Sequence, residues 1–127
     1  MGLRQTQAPI PIGAPQHFQR SKLSSLKAIE GLFWCMVDSS QAALMASKVM
    51  PPSPEHIPIE LKRAFVDNKM LKEKYVKEFR EMLGLHKEIA HGRINELKGG
   101  VIAEWQDKTE EYMRVMAKLV NDLVSRK

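Results

Sequence analysis

A single cysteine, Cys35, stands in 127 residues, so the chain can close no disulfide within itself and can build no multi-cysteine zinc or iron–sulfur centre. Between Trp34 and Met36, in an apolar run, that thiol reads as buried and inert rather than as a nucleophile with a histidine partner. Aromatic residues are scarce at 6% while methionines number eight, a mixture suited to helix packing and unlike that of a sandwich or barrel. No apolar run is long enough to span a bilayer, and the opening residues lack the core of a signal peptide, so a cytoplasmic protein without membrane contact is expected. A phosphate-cradling glycine loop is missing as well.

What is present is the composition of an ordinary globular domain: 43% hydrophobic and 28% charged residues, enough to bury a core and too apolar for intrinsic disorder. The formal charge of +5 favours something anionic as a partner, such as nucleotide, RNA or an acidic protein.

Proline and glycine punctuate the chain. Pro9, Pro11, Gly13 and Pro15 mark residues 1–20 as an extended tail or linker, leaving residues 21–127 for the folded part. From Lys22 to Val49 the apolar positions Leu26, Ile29, Phe33, Val37 and Leu44, broadened by Trp34, Met36 and Met45, repeat with the helical period. Small residues in the second half of that helix, from Ser39 to Ser47, let a neighbour approach its backbone. Met50-Pro51-Pro52-Ser53-Pro54 then stops it. A short helix is expected from near Pro58 through Leu61 and Phe65 to Asp67, and a third helix from Leu71 to Leu97 with Tyr75, Phe79, Leu83, His86, Ala90 and Leu97 on one face. Gly99-Gly100 should break the chain before a fourth helix carrying Ile102, Trp105, Tyr112, Met116, Leu119 and Leu123. The expected fold is all-α, an up-and-down four-helix bundle of three long helices and one short one.

Chemistry is concentrated between Phe79 and Gly92, where one helix carries Arg80, His86 and His91. On a helical projection His86 falls on the apolar stripe, whereas Arg80, Lys87 and His91 share a flank about 100° from Phe79. Metal binding fits poorly. Glu88 and His91 have the i, i+3 spacing of di-iron bundles, but no second Glu-x-x-His accompanies them, and His86 and His91 are five apart rather than four. No metal and no cofactor are therefore expected. Two readings remain. In one, an arginine–histidine pair cleaves RNA, with His91 or His86 moving a proton and Arg80 steadying the phosphate. In the other, Arg80, Lys87, His91 and Arg93 hold a phosphate or an acidic partner without chemistry.

The segment from Met82 to Gly92 resembles the signature helix of the HEPN superfamily, the higher-eukaryote-and-prokaryote nucleotide-binding helical domains. Gly31 to Ala46 is similar to the first helix of archaeal and bacterial members, and Pro51-Pro52-Ser53-Pro54-Glu55-His56 to the loop after it. The resemblance implies a four- or five-helix up-and-down bundle that forms a homodimer, with two signature helices lining a shared cleft. It further implies either a toxin-like RNase, as in toxin–antitoxin systems, or a domain paired with or fused to a minimal nucleotidyltransferase. His91 aligns with the family histidine. The family arginine and asparagine fall on His86 and Lys87, and imidazole is no five-donor fork for phosphate.

Neither a glycine-serine pair followed by paired acids nor a glycine loop occurs here, so this chain alone is not expected to transfer nucleotides. The proline-rich front end fits a domain separated from such a partner. The expectation is a nucleotide- or RNA-binding module, the partner or C-terminal domain of a nucleotidyltransferase system. A metal-independent endoribonuclease and a purely structural dimerisation and docking domain are the alternatives.

Overall fold

The computed structural model describes residues 14–125, and within them the chain is all helical, with no strand. Of the tail expected over residues 1–20, residues 1–13 lie outside the described residues. From Ala14 onward the chain is already in helix α1, Ala14–Ala46, so the helix begins well before Lys22. Its inward face carries Ile29, Phe33, Met36, Val37, Ser40, Ala43 and Leu44, all buried and spaced by three and four as one helical stripe requires. Trp34 and Met45 do not belong to that stripe. They are 45% and 54% exposed, because each lies beyond its edge on the projection.

Helix α1 ends by a left-handed cap rather than at the prolines. Lys48 sits at φ 69°, its N–H donates to the Met45 carbonyl at 2.9 Å, and the next N–H, of Val49, reaches back to Leu44 at 2.9 Å. This is the paired cap that glycine usually closes. The prolines then carry the chain through a single 3-10 turn, Pro54–His56, into α2, Ile57–Leu61. A π turn, Lys62–Val66, continues α2, closed by the Asp67 N–H on the Lys62 carbonyl at 2.8 Å. Its exit repeats the left-handed cap, with Lys69 at φ 61°. The short helix expected near Pro58 thus forms as two joined turns that bury Ile57, Pro58, Leu61 and Phe65.

Helix α3, Glu73–Ala90, is shorter than its apolar pattern suggests. Gly92 takes φ 75°, its N–H bonds the Ile89 carbonyl at 3.0 Å, and Arg93 N–H bonds that of Glu88 at 2.9 Å. That cap satisfies the last carbonyls and turns the chain out, so Ile94 and Leu97 lie off the helix. The break expected at Gly99-Gly100 is therefore upstream. Both glycines open α4, Gly99–Ser125, where their N–H groups would lack intrahelical partners in any case.

Aromatic pairs fix the directions. Phe33 meets His86 and Phe79, while Ser40, further along α1, meets Tyr112, which touches Tyr75. Helices α1 and α3 are therefore antiparallel. Lys74 pairs with Glu111 at 3.3 Å, and Glu78, one turn on, feels Lys108, one turn back, so α4 runs against α3 and along α1. The three long helices alternate up, down and up around one core, with α2 wedged near the α1–α3 turn. The all-α bundle expected from sequence is what the chain forms. Helix α4 lies along α1 more extensively than along α3, and Ser40 of α1 meets Tyr112 of α4 in that contact.

Candidate functional site

The C-terminal half of α3 projects past the tightest part of the core. Its first half buries Tyr75, Val76, Phe79 and Met82, but Leu83, His86 and Ile89 are only half-buried and Ala90 is exposed. Opposite them α1 offers Leu26, Lys27 and Glu30. Together Leu26, Lys27, Glu30, His86, Ile89 and Ala90 line an open groove of about 280 Å³.

His86 forms one wall. Its ring lies on Phe33 with centroids 4.0 Å apart and planes 9° from parallel, and Trp34 presents its ring at a steep angle 6.4 Å away. Phe33 is itself buried against Phe79, so the imidazole rests on a fixed platform. Neither ring nitrogen of His86 has a hydrogen-bond partner among the described residues. A half-buried imidazole with free donor and acceptor capacity, beside an ammonium and a carboxylate above an apolar floor, is suited to orienting a small amphipathic ligand.

The other residues singled out from sequence are scattered by the fold. Lys87 is engaged by Glu55, from the turn before α2, which holds that turn against α3 and keeps the Glu55 carboxyl below its ordinary value, mainly through the hydrogen bond from Lys87. Arg93 pairs with Glu88 at 2.6 Å. His91 is the exposed capping residue at the end of α3, with Arg93 Nη1 at 3.5 Å from its Nδ1. Arg80 is exposed and has no ion partner among the described residues. At 1.5 Å of rise per residue it lies about 9 Å along the axis from His86 and about 120° around it, and about 16 Å from His91. Arg80 therefore converges on neither histidine within one chain; the arginine beside His91 is Arg93, already paired with Glu88, and Arg80, Lys87, His91 and Arg93 form a stripe rather than a cradle. Among the described residues no group of three or more histidine, cysteine, aspartate or glutamate side chains could hold a metal ion, and no helix is long and apolar enough to cross a membrane. Cys35 is half-buried.

A second polar region lies between α3, α4 and α1, and the sequence pattern does not reveal it. Tyr75 donates to Glu111 at 2.7 Å, and Tyr112 bonds Ser40 at 2.5 Å in the centre of the core. The Ser40 hydroxyl spends its proton on the Met36 carbonyl at 2.7 Å, so Tyr112 is the donor in the pair. Burial drives the Tyr112 hydroxyl well above its ordinary value. Tyr75 is pushed up to about 12, by burial first and then by the bond to Glu111. Each hydroxyl belongs to a residue that would count as core or surface in a helical projection, and only the packing unites them.

Comparison with protein-family models, with curated proteins and with solved structures yields no match to this chain.

Proposed function

We propose that the chain is a nucleotide- or RNA-binding helical module of HEPN type, working in the cytoplasm as a homodimer and as the partner or C-terminal domain of a minimal nucleotidyltransferase system. The observation that carries the binding reading is His86: a half-buried imidazole on a Phe33 platform, with neither nitrogen paired among the described residues, in a groove lined by Lys27 and Glu30. Such a wall offers a planar ligand a flat, polar-edged surface, with a cation nearby for phosphate. Binding is preferred to RNA cleavage because Arg80 does not converge on either histidine.

Titration of the protein with adenosine and guanosine monophosphates and with a short RNA, followed by amide and imidazole signals, tests this reading. Saturable shifts at the groove residues, lost in His86→Ala, are expected. If no signal responds saturably to any of these ligands, the chain is a structural dimerisation and docking domain. RNA incubated in chelator with wild type and with His91→Ala separates the enzyme: cleavage by the first alone would restore the endoribonuclease. Sedimentation at tens of micromolar, where a dimer is expected, reads the homodimer directly.

A further inference from the structure

Glu78 sits where α3 meets α4, and its Oε1 is sealed from solvent with no hydrogen-bond partner among the described residues. A buried carboxylate oxygen without a donor is costly and uncommon in a native core. The groups facing it are few. On its own helix they are Lys74, one turn before, and Glu81, less than a turn after; from α4 they are Glu111 and Lys108. Tyr75 and Tyr112 flank the seam, but their hydroxyls are committed to Glu111 and to Ser40. Helix α1, packed against both, contributes no charged group among those acting on Glu78. Lys74 is turned to Glu111 at 3.3 Å, so the ammonium one turn before Glu78 already serves the other carboxylate. The seam is also the lightest of the bundle, because α4 lies mainly along α1 and reaches α3 through long side chains.

We infer that the α3–α4 seam is a proton-operated clasp, drawn shut when Glu78 is neutral and loosened when Glu78 is ionised. A neutral Glu78 carries one O–H, and the Glu111 carboxylate across the seam is an acceptor of the right kind. An ionised Glu78 places a second negative charge beside Glu111, with an orphaned oxygen inside. Burial moves the Glu78 carboxyl upward, and Glu111 adds to that while Lys74 opposes it. A group whose folded value is raised favours the closed fold at low pH, and the advantage fades as pH climbs above the ordinary value of 4.5 through the raised one. The pairs built on Glu55 and Glu111 act in the opposite sense and below that window, because both carboxyls are lowered.

Trp105 serves as the reporter on α4, buried at 8% exposure with the ammonium of Lys108, one of the groups acting on Glu78, over its ring, whereas the exposed Trp34 would mask it. In a Trp34→Phe background, acrylamide quenching of Trp105 should rise about twofold as pH is raised from below 4.5 through the raised Glu78 value. Glu78→Gln, a permanent neutral mimic, should hold quenching at the low value throughout. The same pH response in Glu78→Gln as in its parent, or no response in the parent, would overturn the clasp. Should Glu78→Gln fold poorly, the carboxyl carbon of Glu78 in wild-type protein can be titrated by NMR: a midpoint above 4.5 supports the inference, and one at or below it refutes it.

Discussion

The imidazole of His86 lies flat on the ring of Phe33, 4.0 Å away and within 9° of parallel. One ring belongs to the core and the other to the groove, so the packing of α1 against α3 sets the orientation of the candidate site. Replacing Phe33 with Ala should cost about 3–5 kcal/mol of stability in urea unfolding, the range for a buried aromatic. His86→Ala should cost much less, since that ring is half-buried, and should mainly affect ligand binding.

The hydrogen bond between Tyr112 and Ser40 has a direction, and the two partners should not behave alike on deletion. Tyr112→Phe removes the donor and leaves Ser40 bonded to Met36, for a loss of about 1 kcal/mol. Ser40→Ala strands a buried phenolic O–H and should cost about 1–3 kcal/mol. Equal losses in chemical denaturation would contradict the assignment of Tyr112 as donor.

Two of the three left-handed caps carry lysine where glycine is at ease. Lys48→Gly and Lys69→Gly should each raise stability by about 0.5–1 kcal/mol, the relief of left-handed strain less the greater freedom of glycine in the unfolded chain. Gly92→Ala, at φ 75° in open surroundings, should lower it by about 1 kcal/mol. Thermal unfolding of the three variants reads all three signs.

Stability should fall at both ends of the pH scale for identifiable reasons. The Glu55 and Glu111 carboxyls are held below 4.5 by Lys87 and by Tyr75 with Lys74, so their contribution is full above that value and is lost as pH falls through the lowered values. Lys87→Ala should return the Glu55 midpoint to its ordinary range in a carboxyl titration. At the alkaline end Tyr75 is raised from 10 to about 12. Its contribution is complete below 10 and lost as pH approaches 12, and Glu111→Gln should lower the phenolate midpoint seen by absorbance.

Sequence periodicity reveals the bundle because long amphipathic stripes dominate it. Ile29, Phe33 and Val37 in α1, and Trp105, Tyr112 and Met116 in α4, are buried as their spacing requires. Helix ends are less legible. Ile94 and Leu97 keep the apolar period of α3, yet one residue at positive φ, Gly92, ends the helix, and a glycine pair that reads as a breaker is harmless in the first turn of α4. The groove was only partly visible. His86 stands out because its residue type is rare on an apolar stripe, but Leu26, Lys27 and Glu30 join it through the antiparallel packing of α1 and α3, which no local pattern states. Glu78 was hidden for the same reason, since its burial arises from α4.

The most direct measurement is a two-dimensional NMR titration with adenosine and guanosine monophosphates and a short RNA, comparing wild type with His86→Ala. Saturable shifts at Leu26, Lys27, Glu30, His86, Ile89 and Ala90 that vanish in the variant while its fold persists are the expected result for a nucleotide-binding groove. Saturable shifts restricted to Arg80 and His91, or none at any residue, would contradict it.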